Sequence, residues 1–133
     1  MKNKRFFSIL VMVILAGSIA ALNYSFKPVK QKNIGLQLYS IRDSIRKNVP
    51  AAIEKVGKMG YKFVEPAGYA DGMIYGMDPV AFKELCARNG MTILSAHVGQ
   101  PLPAEENWDK TMAWWDLCIE THLKAGAKYL VQL

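Results

Sequence analysis

The sequence predicts an α/β fold in which short parallel strands alternate with helices. Gly60, Gly90 and Gly126 each follow a helical stretch and lead into a short apolar strand. Their spacing of about thirty residues is the size of one strand-helix unit with its loops. The predicted order is strand, helix, strand, helix, strand, helix, strand, for which parallel pairing with right-handed connections is the default.

The first unit begins with a strand at 34–39, which is apolar almost throughout, as expected of a parallel strand covered on both faces. A polar run at 40–48 bounds it. In the helix that follows, Asn48 is the predicted N-cap. Pro50 lies in the first turn, where a backbone N–H would have no acceptor within the helix, so its absence costs no hydrogen bond. The predicted apolar stripe of this helix consists of Ile53, Val56 and Met59.

The second unit has a strand at 61–65 and then a loop at 66–72 that is long enough to belong to a binding surface. Its helix has the clearest boundary signals in the chain, with Asp78 as N-cap, Pro79 at the first position and Gly90 at the end. The residues predicted to form its buried face are Phe82, Leu85 and Cys86.

The third unit has a strand at 92–97, a loop at 98–107 and a helix at 108–124, and a last strand follows at 129–133. Trp108 and Trp114 fall off the apolar line of the helix, so they either pack against a neighbouring unit or cover a ligand. The predicted apolar line consists of Met112, Trp115, Ile119 and Leu123.

Composition places the chain among ordinary globular proteins of one domain. It has 133 residues, of which 51% are hydrophobic and 21% charged. The formal net charge is +6, but Lys2, Lys4 and Arg5 lie in a segment predicted to be removed. The remaining charge of about +3 is spread among acidic residues, so no nucleic-acid partner is expected.

The N-terminus has the features of a signal peptide at 1–22, followed by a tether at 23–32 and the folded domain at 33–133. A basic start precedes an uncharged run at 6–22, and Ser18 and Ala20 suit the −3 and −1 positions of a cleavage site. Export to the periplasm or cell envelope is the prediction. The alternative is an uncleaved anchor, since this run is near the lower limit for spanning a bilayer.

The two cysteines, Cys86 and Cys118, fall inside helical patterns with apolar neighbours. Buried, unpaired thiols are therefore predicted, and a disulfide between them is the alternative. No CxxC or Cys/His metal spacing is present, which argues against a small redox protein.

Two architectures fit the alternation: an open parallel sheet with helices on both faces, or part of a (β/α)8 barrel. The dinucleotide-binding version of the open sheet is disfavoured because no G-x-G-x-x-G follows the first strand. A barrel needs roughly 250 residues. About 100 residues remain after the tether, enough for three units and one further strand.

Four motifs in order resemble the xylose isomerase-like TIM-barrel family of sugar phosphate isomerases/epimerases, in its exported bacterial form. They are I-G-L-Q-L-Y-S-I-R-D at 34–43, G-Y-K-F-V-E-P-A-G-Y at 60–69, S-A-H-V-G at 95–99 and G-A-K-Y-L-V at 126–131. The resemblance covers nearly all of 33–133 and implies the N-terminal half of a (β/α)8 barrel. It also implies a small-molecule sugar substrate and metal-assisted proton transfer.

In this family, Glu, Asp, His and Glu side chains of the later strands hold a divalent metal (Mn, Mg or Zn), and two of the glutamates move protons beside a sugar carbonyl. The resemblance therefore implies no catalytic residue and no tight metal site in this chain, which is expected to be an incomplete and inactive half. It assigns substrate binding to Glu65 and His97. Both lie at C-terminal strand ends, where barrel chemistry collects, which favours them independently.

Lesser candidates for substrate binding are Gln37, Tyr39 and Gln132, at the ends of the first and fourth strands. By strand alternation, Gln37 and Tyr39 face the same side, and Tyr39 could offer its ring to a sugar. His122 lies near the C-terminal end of the third helix, where a cation suits the helix dipole, and a structural role is predicted for it.

The alternative function is an exported, non-enzymatic carbohydrate-binding or interaction module. It would use aromatic residues of the loops and third helix, namely Tyr69, Tyr75, Trp108 and Trp114. In either case the last strand and the first would present open edges, which a homodimer of two half-barrels could cover. Membrane contact is expected only through the signal segment.

Overall fold

The computed structural model describes residues 33–132. The predicted signal peptide and tether lie outside these residues, as does Leu133 at the end of the last predicted strand. The strands of the described residues are β1 Gly35–Gln37, β2 Phe63–Glu65, β3 Tyr69–Ala70, β4 Met73–Ile74, β5 Thr92–Ile93, β6 Ser95–Val98 and β7 Tyr129–Gln132. The α-helices are α1 Arg42–Lys47, α2 Val49–Lys58, α3 Pro79–Arg88 and α4 Trp108–Lys124, and 3-10 turns occupy Leu38–Ile41 and Glu105–Asn107.

The strands of the repeating units pair in parallel and in the order in which they occur along the chain. β2 lies between β1 and β5, and β6 pairs with β7. The amide of His97 in β6 also donates to the carbonyl of Pro66 just after β2, at 2.8 Å, so β6 continues from β5 along β2. Sequential order is the barrel arrangement, whereas a doubly wound sheet reverses direction at a switch point.

The two faces of this sheet differ in burial. Val64, Ile93 and Ala96 are at most 5% exposed and pack on the helix side. Glu65, Ser95 and His97 face the other side and are partly buried. The helix side therefore holds the core, and the opposite side is the surface on which polar strand residues meet.

The predicted helix boundaries are confirmed where local capping sets them. The Asn48 side chain accepts a hydrogen bond from the Ala51 amide at 2.9 Å, and Asp78 accepts from the second and third amides of α3. Gly60 and Gly90 follow α2 and α3 with φ of +92° and +72°, the left-handed conformation that glycine adopts without strain.

The chain after β1 and β2 is more ordered than predicted. The strand expected at 34–39 ends at Gln37, and a 3-10 turn buries Leu38 completely while Tyr39 is 55% exposed. The alternation that placed Gln37 and Tyr39 on one strand face is therefore wrong. The loop expected at 66–72 contains β3, which forms an antiparallel hairpin with β4. Met59, predicted to be in the stripe of α2, is 70% exposed because the helix has ended before it.

Helix α4 has the predicted bounds but buries a different face. Ile119 and Leu123 are 51% and 72% exposed, whereas Cys118, Thr121 and His122 are at most 3% exposed. Apolar residues occupy most of this helix's circumference, so their spacing alone does not select one face. The smaller side chains of Cys118 and Thr121 allow the helix to approach its neighbours closely, and the bulky aliphatic residues face outward.

The thiols of Cys86 and Cys118 are both buried and unpaired, as predicted, and the alternative disulfide is absent from the described residues. Burial raises the pKa of Cys86 to about 12 and that of Cys118 to about 11, which keeps both thiols protonated and unreactive at neutral pH. Within residues 33–132, no helix combines the length and apolar character needed to cross a bilayer.

Within the described residues β7 pairs with β6 alone, so its other backbone edge is open. Tyr129 and Val131 are in register with Ser95 and His97, lie on the same sheet face as those residues, and are 63% and 40% exposed. An open edge of this kind was predicted for the last strand. The homodimer that could cover it stays a prediction.

Candidate functional site

Three polar side chains meet where β1 and β2 end and β6 begins. The Gln37 amide nitrogen Nε2 donates to Glu65 Oε1 at 2.7 Å, and the Ser95 hydroxyl donates to Glu65 Oε2. Each carboxylate oxygen of Glu65 therefore accepts one hydrogen bond from a neighbouring strand. Because a carboxylate oxygen has two lone pairs, Glu65 is held in one orientation and can still accept from a ligand.

A β-bulge between β5 and β6 places Ser95 in this network. Three amides of this segment donate to carbonyls along β2, those of Thr92 to Lys62, Leu94 to Val64 and His97 to Pro66. The acceptor carbonyls are spaced two residues apart along the chain. The donor amides are spaced two and then three residues apart, so the donor segment contains one extra residue after Leu94. The extra residue keeps Ile93 and Ala96 in the core while Ser95 and His97 face Glu65's side of the sheet.

His97 lines a cavity of about 350 Å³ whose walls are largely aromatic. The rings of Tyr69 and Trp114 meet edge to face with their centroids 5.2 Å apart. The lining residues are Tyr39, Ala67, Tyr69, His97, Val98, Gly99 and Trp114. An imidazole beside aromatic faces offers one group that can donate or accept a hydrogen bond and apolar surfaces that suit a sugar ring.

The structure brings together four of the five residues predicted to bind substrate, in two adjoining groups. Gln37 and Glu65 are hydrogen bonded, and Tyr39 and His97 line the same cavity. Gln132 is not part of either group. It pairs with Val98, which is buried on the helix side, and its amide donates to the carbonyl of Gln100 at 3.2 Å.

Sequence reasoning missed Ser95 as a member of the site and gave Tyr69 only to the alternative function. The S-A-H motif placed Ser95 and His97 on one strand face, which is the signal that could have found Ser95. Trp114 was predicted either to pack or to cover a ligand. It packs against Tyr69 and Trp115 and also forms a wall of the His97 cavity.

Behind the cavity wall lies a buried cluster around His122. Its Nδ1 is 2.8 Å from the carbonyl oxygen of Cys118, and its ring centroid is 5.2 Å from that of Tyr69. A carbonyl oxygen only accepts, so Nδ1 carries the proton in the neutral ring. Burial lowers the pKa of His122. The predicted structural role fits this packing, but the reason given for it was wrong, because the buried ring is neutral and not a cation.

The stability of the protein is expected to fall as the pH drops through 6.5, the ordinary pKa of histidine. Because the folded-state pKa of His122 is lower, the unfolded chain takes up a proton first in this range. The contribution of neutral His122 to the free energy of unfolding is fully present above pH 6.5. Because only one proton is taken up, this free energy falls by at most about 1.4 kcal/mol per pH unit. Urea unfolding between about pH 7.5 and about pH 5 measures it.

His122→Phe, which removes the titrating ring, should flatten this pH profile. Lysine partners lower the pKa of Glu54 and Glu120 below 4.5, so these carboxylates alter stability only in more acidic solution. A slope that persists in His122→Phe would contradict the assignment.

Comparison with solved structures identifies proteins of the same fold. A sugar phosphate isomerase/epimerase from Parabacteroides distasonis ATCC 8503 is 36% identical, with a TM-score of 0.67 over 76% of this chain and 41% of its own. A second protein of that description from the same organism is 24% identical and shares the fold, with a TM-score of 0.65 over 80% of this chain and 40% of its own. No family model and no curated protein matches the chain.

These matches confirm the resemblance that the four motifs indicate. The chain spans about two fifths of the length of the solved proteins it matches. Its parallel, sequentially ordered strands correspond to part of their barrel. The chain is therefore similar in sequence and fold to sugar phosphate isomerase/epimerase proteins, and its strands form part of a xylose isomerase-like TIM barrel.

Proposed function

We propose that this chain forms a substrate-binding wall of a sugar isomerase/epimerase. One observation carries the proposal: the Glu65 carboxylate at the C-terminal end of β2 is fixed by Gln37 and Ser95, on the sheet face that His97 also occupies. In barrels of this type, the C-terminal strand ends form the active site. The similarity to sugar phosphate isomerase/epimerase proteins supports a sugar as the ligand.

The proposed roles follow from the chemistry of each group. Glu65 would accept hydrogen bonds from sugar hydroxyls with the lone pairs that Gln37 and Ser95 leave unused. His97 would donate to or accept from a hydroxyl or the carbonyl oxygen. The rings of Tyr69 and Trp114 would cover an apolar face of the sugar and exclude water from it. Together these contacts fix the orientation in which a proton beside the carbonyl is transferred.

The described residues do not fit a metal site. Among residues 33–132, no group of three or more His, Cys, Asp or Glu side chains could hold a metal ion. The metal-assisted step that the family resemblance implies is therefore assigned to none of these residues, whose proposed work is to bind and orient the sugar.

Titration of the full chain with D-glucose and D-fructose, an aldose and its ketose isomer, tests the binding proposal. Sugar binding at the His97 cavity should quench tryptophan fluorescence. The sugar affinity should fall about tenfold in His97→Ala or Trp114→Ala, which is the effect of losing one strong contact. Trp108→Ala is the matched control, because Trp108 is 54% exposed and does not line the cavity. Equal affinity in all variants would overturn the proposal.

The same samples show whether this chain itself catalyses proton transfer. An isomerase or epimerase removes and returns a proton beside the carbonyl, so in D2O it incorporates deuterium at that carbon, which proton NMR of the sugar detects. Exchange that is lost in His97→Ala would mean that this chain is catalytic by itself. Binding without exchange is the result expected of a substrate-binding wall and also of the non-enzymatic carbohydrate-binding module, which the aromatic cavity of Tyr39, Tyr69 and Trp114 favours.

Export is a separate proposal, supported by the basic start and apolar run of the sequence at 1–22. Mass spectrometry of the protein from its native host should find an N-terminus close to residue 21. A protein that retains Met1 or Lys2 would contradict cleavage.

A further inference from the structure

A groove of about 320 Å³ lies beside the His97 cavity, between the first two turns of α4 and the loop at 100–104 that follows β6. Trp114 lines both this α4 groove and the His97 cavity. On the loop side, Gly99 lines the cavity and Gln100, the next residue, lines the groove. The two spaces therefore adjoin at both walls, and a ligand in the His97 cavity could extend past Trp114 into the groove.

The helix wall of the α4 groove is a stripe of polar side chains that ends at an aromatic ring. Positions i, i+3, i+4 and i+7 of a helix share one face. Four lining residues have this spacing, namely Asn107, Lys110, Thr111 and Trp114. An amide, an ammonium and a hydroxyl therefore precede an indole ring, a combination that suits the hydroxyls and the apolar face of a sugar.

Asn107 stands where an asparagine normally caps a helix, but it does not cap α4. It is the N-cap residue, yet among the described residues its side chain accepts from none of the helix amides. At the starts of α2 and α3, by contrast, the side chains of Asn48 and Asp78 do accept from helix amides. The Asn107 amide therefore lines the groove without a bond to its own helix, and its donors and acceptor can serve a ligand.

Both walls of the α4 groove are held in place. The Trp114 ring packs edge to face against Tyr69, with the centroids 5.2 Å apart. In the loop, the Gln100 carbonyl accepts from the side-chain amide of Gln132 in β7 at 3.2 Å, and the prolines within 101–103 fix two φ angles. A preformed groove of this kind loses little conformational freedom when a ligand binds. Gln132, which lies outside the His97 cavity, thus acts on the groove by positioning its loop.

The charge of the α4 groove favours a neutral ligand. Within residues 33–132, no carboxylate lines it, and Lys110 is its one charged residue. Lys110 is exposed, and a single hydrated ammonium attracts an anion only weakly. Its three N–H groups can donate to hydroxyl groups instead.

We propose that the α4 groove binds the second sugar unit of a disaccharide whose first unit lies in the His97 cavity. Trp114 would lie at the junction of the two sugar rings, and Asn107 and Thr111 would form hydrogen bonds with hydroxyls of the second ring. The inference rests on the proposed sugar-binding function and adds the substrate class, a neutral glycan of at least two units.

Calorimetric titration of the full chain with glucose and with four of its disaccharides tests the groove. The disaccharides are maltose, cellobiose, laminaribiose and isomaltose, which differ in the configuration and position of the linkage. At least one of them should bind about tenfold more tightly than glucose, the gain from one or two further hydrogen bonds to the second ring. Equal or weaker affinity for all four would overturn the inference.

Asn107→Ala with Thr111→Val removes the amide and the hydroxyl of the groove. The disaccharide should then lose its advantage while the affinity for glucose stays the same, which also shows that the variant is folded. The matched control, Glu106→Ala with Asp116→Ala, removes two exposed polar side chains that line neither space, and it should keep the advantage. An advantage that survives in the groove variant, or that is lost equally in the control, would overturn the inference.

His97→Ala separates the inference from the function on which it rests. If glucose binding depends on His97 but no disaccharide binds more tightly, the groove is wrong and the sugar site stands. If disaccharide binding depends on Asn107 and Thr111 but neither ligand responds to His97→Ala, the sugar site is wrong and the groove stands as a glycan site by itself.

Discussion

Phe82→Ala is expected to lower the free energy of unfolding by about 3–5 kcal/mol, the usual loss for a buried phenylalanine. Phe82 is fully buried, and its ring packs at a tilt against Tyr75 with their centroids 5.8 Å apart. Removing the ring loses its burial and leaves a cavity between α3 and the sheet. A domain of this size has a total stability of about 5–15 kcal/mol, so the variant should be close to unfolding.

Urea unfolding followed by circular dichroism measures this loss. Val80→Ala is the matched control, because Val80 lies on the same helix but is 46% exposed, and it should change stability by less than about 0.5 kcal/mol. Phe82→Leu should lie between the two, since it keeps part of the buried volume. A loss below about 1 kcal/mol in Phe82→Ala would mean that the core closes around the gap.

Features that depend on a few neighbouring residues could be predicted from the sequence. Asn48 and Asp78 cap helices because a short polar side chain reaches the amides of the next turn, whatever the rest of the chain does. Glycine ends α2 and α3 for an equally local reason. The positions of Glu65 and His97 at strand ends could be predicted from the same local signals, because the glycines that end the helices mark where the next strands begin.

Features that depend on distant parts of the chain were not predictable in this way. The bulge after Leu94 is set by how β5 and β6 pair along β2, a distant part of the chain, and it is the bulge that brings Ser95 to Glu65. The buried face of α4 depends on which residues fit against the sheet and the β3–β4 hairpin. Tyr39 faces its cavity because the chain turns after Gln37, which the apolar run did not indicate.

The choice between an open sheet and a barrel also lay outside local patterns. Alternation of strands and helices is common to both, and strand order decides between them. The four family motifs indicate the barrel independently of strand order. They carry information about non-local structure that hydrophobic periodicity lacks.

A double-mutant cycle of Glu65→Ala and Ser95→Ala is expected to give a coupling energy of about 1–2 kcal/mol, because one hydrogen bond to a charged group joins the two side chains. Urea unfolding of the four proteins measures it. The matched control is the Glu84–Arg88 pair of α3, in which both side chains are more than 60% exposed and the coupling should be close to zero. Coupling that is no larger for Glu65 and Ser95 would mean that solvent competes for this bond as it does at the surface.

Glu65→Gln then separates the structural role of this residue from its proposed role in binding. Glutamine has nearly the same shape, and its carbonyl can accept from Gln37 while the Ser95 hydroxyl rotates to accept from its amide, so stability should change by less than about 1 kcal/mol. The negative charge is lost, and with it the stronger hydrogen bonds to sugar hydroxyls, so sugar affinity should fall about tenfold. Unchanged affinity in a variant of unchanged stability would leave Glu65 as a residue that joins three strands, and the sugar contacts would then belong to His97 and the aromatic cavity alone.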